Sequence, residues 1–474
     1  MDDAKNKKKI SGLGLVFLGL SVIGGSFFLG SGLAIEMAGP SVMLGYVIGG
    51  IITYLMLVSL GHLALKYKER ESFRGYVQEV IGPVGGFVVG WAAWFTAVVA
   101  MTAESIAMSI YTRQWFPAIP LWMLALFFGF LATGINFYGI KVVNRSERIL
   151  TILKTGALLA FTLVVSYILI TPHHVKAGTG AANLTPFLPH GLSGLMQGVV
   201  ICTFAYGVGA FAAATGDTRN PERDVPFATK GMAASQAFFF IVPTLVLLLA
   251  VPWSAISTKS SPFVTALNHV GIHAGGSVLN IVVLIASFSA LVASMFSAKI
   301  MLSSMAEDRE APALLAKKWH DLSLYALLTS AGALFILILL TQLLPKGVYN
   351  YAVTTSGYFS FITWGSILLA RMMLCLPQKN GTMEWSGFTI AAIGLASVIL
   401  ISVLSLKAPE QKYSFFLTVG ILLLLMIIGK AAIKKKGDLA VHAPVNGEPK
   451  QAFIFSEKKT SRLLNLMKGK LQQK

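Results

Sequence analysis

Twelve mainly apolar stretches follow one another along this chain. They cover residues 11–37, 40–65, 84–112, 118–139, 147–171, 194–215, 230–253, 275–305, 321–344, 346–373, 384–405 and 412–434. Each offers about 20 or more residues, the length that ~30 Å of hydrocarbon demands at ~1.5 Å rise per residue. The pattern predicts an all-α membrane protein of about 12 transmembrane helices. Pro40, Pro83, Pro117, Pro120, Pro262 and Pro312 fall at ends or connections, as helix stops do. Pro243 lies inside the seventh span and is expected to kink it.

Two spans carry weak points. The first contains Ile23-Gly24-Gly25-Ser26-Phe27-Phe28-Leu29-Gly30-Ser31-Gly32, with four glycines in ten residues. Glycine is among the poorest helix formers, and lipid cannot replace a lost backbone hydrogen bond. Broken backbone at membrane depth is tolerated only where it is buried in protein or lines a cavity. The sixth span contains Phe204-Ala205-Tyr206-Gly207-Val208-Gly209-Ala210. Glycine-interrupted segments at corresponding positions of two halves point to a transporter's binding site. Spans one and six stand five apart, which suggests a 5+5 inverted repeat with discontinuous helices 1 and 6, plus two extra helices. Close helix packing through small residues is the competing explanation of either run taken singly.

The repeats then cover about 11–171 and 194–373, with the extra helices at 384–434, inside a transmembrane domain of 11–434. Residues 1–10 form a short N-terminal segment and 435–474 a basic tail. Within that tail Ser461–Lys468 suits a short amphipathic helix on anionic lipid, although a solvated tail is the simpler reading.

Composition agrees with the pattern. Of 474 residues, 55% are hydrophobic and only 12% charged, and the net charge is +18. So basic a chain raises the question of nucleic acid, but the placement of the charges answers it. Lys5, Lys7, Lys8 and Lys9 precede the first span; Lys66, Lys68, Arg70 and Arg74 follow the second; Lys141, Arg145 and Arg148 follow the fourth. Arg219, Arg223 and Lys230, then Arg309, Lys317 and Lys318, then Arg371 and Lys379 follow the sixth, eighth and tenth. The intervening loops are poor in Lys and Arg. This is positive-inside asymmetry: it places both termini in the cytoplasm of a multi-pass plasma-membrane protein and makes the bilayer, not nucleic acid, the partner. Cys202 and Cys375 lie in or beside apolar segments and read as buried free thiols. The loops carry no H-E-x-x-H, P-loop or nucleophile arrangement, so an enzyme is not expected, nor a metal or other cofactor.

Several short blocks taken together resemble the amino acid permeases of the amino acid–polyamine–organocation superfamily. They are Gly24-Gly25-Ser26 and Leu29-Gly30-Ser31-Gly32 with Ala38-Gly39-Pro40; Gly90-Trp91 with Ala103-Glu104; Gly216-Asp217 with Asn220-Pro221-Glu222 and Pro226; and Asp308 with Ala311-Pro312. The resemblance covers residues 11 to about 434 and implies the LeuT-type inverted-repeat fold. Two positions depart from the family pattern. Ser26 stands where the break usually ends in glycine, and Gly209 stands where many relatives carry an acid, which argues against a cationic substrate.

The site chemistry follows from the ligand such a protein would carry. An amino acid brings a carboxylate and an ammonium into a low-dielectric interior, and both need partners. Free N–H groups at the start of a half-helix suit the carboxylate, and Gly24, Gly25 and Ser26, preceded by Ile23, are assigned to it. Unpaired carbonyls at the end of a half-helix suit the ammonium, and Phe204, Ala205 and Gly207 are the candidates. Phe204 and Tyr206 either close over the substrate side chain or serve packing.

Lys154 and Glu104 are ionisable residues inside apolar spans, functional by default. Lys154 lies roughly two turns into span five. Desolvation favours loss of its proton, so a proton carrier is one reading; snorkelling to the cytoplasmic face is the other. In proton-coupled members of the superfamily a lysine in this span replaces a sodium ion, and Lys154 matches it. Glu104, deep in span three, has three roles open to it: substrate contact, proton relay, or hydrogen bonding to backbone near the site. The resulting expectation is a secondary transporter importing a neutral, apolar amino acid by proton symport. An exchanger of the same fold is the alternative, and a permease-like amino acid sensor a more distant one.

Overall fold

The computed structural model describes residues 11–67, 72–137, 140–171, 178–207, 218, 220–319, 322–341, 348–377 and 383–441. It is all α. Span one is split into α1 (Gly12–Leu20), α2 (Gly25–Phe28) and α3 (Gly30–Ala38). Spans two to five are α4 (Val42–Lys66), α6 (Pro83–Thr112), α7 (Leu121–Phe137) and α8 (Ile140–Ile170), with α5 (Phe73–Ile81) as a short helix between α4 and α6. The described part of span six is α9 (Gly191–Ala205), and span seven is α10 (Pro221–Ala250). A second short helix, α11 (Pro262–His269), precedes α12 (His273–Glu307), which is span eight. The rest are α13 (Leu324–Leu340), α14 (Val348–Leu374), α15 (Trp385–Leu404) and α16 (Pro409–Val441). Every apolar stretch expected to cross the membrane thus contains helix. Eight helices among the described residues are long and apolar enough to cross a membrane, and α7, α9 and α13 are shorter apolar ones.

Local chemistry sets the ends. Pro221 and Pro262 open α10 and α11 at positions where a missing N–H costs nothing. Glu222 and Asp224 add negative charge to the first turn of α10, where the helix dipole favours it. Gly82 lies between α5 and α6 at φ +114°, a conformation that side-chain-bearing residues rarely adopt, and Pro83 then starts α6. Helix α10 runs through both Pro226 and Pro243 without ending.

The packing has the symmetry of an inverted repeat. α1 packs on α10 and α4 on α9, which is span one on seven and span two on six. α7 packs on α12 and α13 on α6, or four on eight and nine on three. Likewise α8 meets α12 and α10, while α14 meets α6 and α4. Exchanging each span with the one five further along maps every one of these contacts onto another. The outer face is apolar: Leu163 is 69% exposed, Ile170 78% and Ile427 67%. Large side chains left uncovered in such number belong against lipid. Residues 431–441, the end of α16, are set apart from the helices before them. The proposed amphipathic segment Ser461–Lys468 lies outside the described residues, as do residues 1–10. Cys202 and Cys375 are buried and free.

Short helix α5 is tied down by charge. Buried Arg74 forms ion pairs with Asp308 and buried Glu310, on either side of Arg309, which turns the chain at φ +59°. The indole N–H of Trp91 donates to the Glu310 carbonyl at 3.4 Å. Removing one partner of a buried pair strands a charge, at a cost of roughly 3–5 kcal/mol, whereas an exposed pair contributes about 0–1 kcal/mol. Arg74→Ala should therefore lower the thermal unfolding midpoint in detergent by several degrees. Lys318→Ala, which breaks the half-exposed Lys318–Glu307 pair at 2.9 Å, should leave it within about a degree.

Candidate functional site

The break in span one is narrower than the glycine run suggests. Helix α1 stops at Leu20, Ser21 and Val22 turn, Ile23 bonds back to the Leu20 carbonyl at 3.2 Å, and Gly24 is extended at φ −149° and ψ −153°. Helix resumes at Gly25, with the amides of Phe27 and Phe28 both donating to the Gly24 carbonyl at 2.9 Å. Leu29 stays in the right-handed region, so Gly30 and Gly32 belong to helix rather than to the break.

What the break leaves open, neighbouring spans fill. The Lys154 ammonium, 1% exposed, donates to the Ser21 carbonyl. The Gln236 amide on α10 donates to the Gly19 carbonyl at 2.8 Å. On the other side, the Gly25 N–H donates to Glu104 Oε2 at 3.0 Å. The Gly25 carbonyl accepts from the Tyr349 hydroxyl of α14 at 3.2 Å as well as from Leu29 N–H. Ser261, just before α11, donates its hydroxyl to the Phe28 carbonyl at 3.1 Å. Both charges complement the half-helix dipoles: a cation sits at the C-terminal end of α1 and a carboxylate at the N-terminal end of α2.

Lys154 thus reaches inward to the break instead of snorkelling outward. Glu104 makes the backbone contact that was one of its three open roles. Ile23, Gly24 and Gly25 lie together at the break. Ser26 lies in the first turn of α2, and its side chain is outside the described residues.

The second break lies against the first. Helix α9 ends at Ala205, Tyr206 N–H donates to the Thr203 carbonyl at 3.2 Å, and Gly207 follows outside the helix. A Cβ added to Gly207 would sit 3.4 Å from Val22 of the first break. Gly209 and the residues up to 217 lie outside the described part. Ala205 is buried and Phe204 half-buried against the core. Tyr206 is wholly buried. Its hydroxyl donates to the Tyr46 carbonyl at 2.7 Å, and its ring meets Phe240 edge-on at 4.8 Å. Phe27, beside the first break, stacks on Phe240 at 4.7 Å and touches Phe28, Tyr46 and Phe263, so one buried aromatic cluster supports both breaks. Tyr206 therefore takes the packing position of its two alternatives.

Charge was the sequence signal that marked Lys154 and Glu104, and uncharged partners escaped it. Gln236 and Tyr349 hold the break equally directly but lie in spans seven and ten as ordinary polar side chains. Lys299 carried the signal and was overlooked. It is a lysine inside span eight, buried, with its ammonium 4.7 Å from the centre of the Phe296 ring.

Comparison with known proteins assigns the class. The family described as Amino acid permease matches residues 14–443. A Bacillus subtilis (strain 168) protein named as the uncharacterized transporter YcgH is 31% identical over 438 residues, covering 90% of this chain and 94% of its own. The amino-acid permease AapA of the same organism is 28% identical, over 87% of this chain and 92% of its own. An L-asparagine permease of Streptomyces coelicolor is 29% identical, over 81% of this chain and 80% of its own. The chain belongs to the amino acid permease family, and is a multi-pass membrane transporter rather than an enzyme.

Gly25 is where this arrangement is least tolerant. An added Cβ would collide with the Glu104 carboxylate and lie 2.6 Å from Ser287 Oγ. Gly134, in contrast, has nothing within 4 Å of where its Cβ would be. In binding assays on purified protein, Gly25→Ala should weaken amino acid affinity at least about tenfold, or ~1.4 kcal/mol. Gly134→Ala should bind as wild type. Equal affinities in the two variants would move the site away from this break.

Proposed function

We propose that this permease imports a neutral, apolar amino acid by proton symport across the plasma membrane, with both termini in the cytoplasm. The solute sits where the two breaks meet, among Ile23, Gly24, Gly25, Ser26, Glu104, Phe204, Ala205 and Gly207, with Tyr206 packed behind them. Amide donors at the start of α2 that Glu104 and the helix itself leave open take its carboxylate, and terminal carbonyls of span six take its ammonium. The alternation of basic loops supports the orientation. Gly209, without an acid, supports a neutral substrate, as does the neutral solute in the name of the Streptomyces relative.

The observation that carries proton coupling is the buried Lys154 ammonium on the Ser21 carbonyl. A protonated lysine holds the end of α1 by a charge-assisted hydrogen bond. Losing the proton weakens that hold at the point where the broken helix would have to move. Proton state and the geometry of the break are thereby coupled. The driving force suffices: one charge moved through 100 mV supplies about 2.3 kcal/mol, and tenfold accumulation of a neutral solute costs about 1.4 kcal/mol.

Proteoliposomes given labelled L-alanine or L-asparagine, with and without an inwardly directed proton gradient, test the reading. Accumulation should follow the gradient. Lys154→Ala should abolish uphill uptake while retaining measurable binding. Gradient-insensitive exchange, or normal uphill uptake by Lys154→Ala, would contradict it.

A further inference from the structure

The end of α1 is held by two groups of different chemistry. Ser21 N–H takes the Phe17 carbonyl at 3.0 Å and Ile23 N–H that of Leu20 at 3.2 Å. The Gly19 and Ser21 carbonyls are met from other spans, by the Gln236 amide of α10 at 2.8 Å and by the Lys154 ammonium of α8. A lysine can give up its proton, whereas a primary amide keeps both N–H donors at every physiological pH. One hold on α1 therefore titrates and the other is constant.

The constant hold closes a tight seam between α1 and α10. A Cβ added to Gly12 would come 2.9 Å from Phe227, one on Gly231 would come 2.8 Å from Val16, and one on Gly19 would collide with Met232. Gln236 lies one turn past Met232 and is wholly buried. Its Oε1 is buried too and completes no hydrogen bond among the described residues. An apolar side chain of similar length would strand no acceptor, so packing alone does not account for a glutamine here. What the amide adds is its donor half, and that half goes to the Gly19 carbonyl.

Fixing Gly19 also fixes the carbonyl two residues on, because Ser21 begins the turn that ends α1. The bond from Lys154 to that carbonyl is charge-assisted and depends steeply on geometry. Other ionisable groups around α10 sit elsewhere. α1 carries none. On α4, His62 and Lys66 lie level with the first turns of α10, since Gly61 faces Val225, and Glu222, Arg223, Asp224 and Lys230 occupy those turns. Tyr46 and Tyr206 lie against Phe240, one turn past Gln236, and His269 ends α11, beyond the far end of α10. Glu104 meets the other side of the break at Gly25.

We propose that Gln236 is a positioning residue for the proton site: by tying the Gly19 carbonyl it holds the Ser21 carbonyl where the protonated Lys154 needs it. This rests on the proton-symport reading and deepens it. Gln236 carries no proton itself; it sets how firmly the end of α1 holds the lysine that does.

The test is gradient-driven uptake in proteoliposomes of whichever of labelled L-alanine and L-asparagine the wild type accumulates, followed over external pH at a fixed membrane potential. Wild-type uptake should fall as external pH rises and Lys154 loses its proton. Gln236→Leu withdraws the tie and should move the midpoint of that fall about one pH unit to the acid side, a tenfold weaker hold on the proton. Gln236→Glu places a carboxylate at the end of α1, which favours the protonated lysine, and should move the midpoint to the alkaline side. Gly231→Ala crowds the seam at Val16 without touching the tie, and should lower thermal stability with the midpoint in place. Gln236→Glu, nearly isosteric, carries the test should Gln236→Leu fail to fold. Midpoints unmoved in the Gln236 variants, or a Gly231→Ala midpoint shifted as far as that of Gln236→Leu, overturn the assignment and leave proton symport standing. Wild-type uptake indifferent to the proton gradient overturns both.

Discussion

Everything in this molecule that bears on function depends on one constraint: backbone opened inside a membrane must find partners inside the protein. A helix interrupted in water can turn its freed amides and carbonyls to solvent. In lipid each would cost several kcal/mol, so the interruption at Ser21–Gly24 persists only because other spans reach in. Lys154 and Gln236 serve the carbonyls of Ser21 and Gly19, and Glu104 and Tyr349 serve the amide and carbonyl of Gly25. Spans three, five, seven and ten converge on one short stretch of span one. The fold's repeat is what brings them there.

That convergence also organises charge. A lysine and a glutamate are expensive in a bilayer interior, and here each faces a half-helix end of opposite sign. The break thus supports the two ionised groups as much as they support it. In the proposed mechanism a zwitterion arriving at this point meets groups already arranged for positive and negative partners, and a proton has Lys154 on the same backbone. In the proposed mechanism, substrate occupancy and proton occupancy act on one structural element, which is the condition for coupling them.

The architecture was largely legible because membrane thickness imposes a length that unbroken apolar runs reveal. The short helices α5 and α11 were not, being too short to span and carrying no such run. The break was legible in place but not in extent. Composition shows that a glycine weakens a helix; it does not show that Gly30 and Gly32 nevertheless lie within helix once the chain is packed. Among site residues, Lys154 and Glu104 stood out because charge in an apolar span is rare. Gln236 and Tyr349 did not, since their contacts arise only when distant spans are packed together. Tyr206, chosen for its place in a glycine-rich segment, has its hydroxyl tied to span two, a contact made 160 residues away in sequence.

The central claim is that the interruption of span one is where the solute binds. A structure of the protein solved with its amino acid bound tests this most directly. The account predicts solute density against Gly24 and Gly25, between Glu104 and the end of α9, with Lys154 at the Ser21 carbonyl on the far side of the break. Solute density elsewhere in the bundle, with the Gly25–Glu104 contact and the conformation of Ser21–Gly24 unchanged from the solute-free protein, would contradict it.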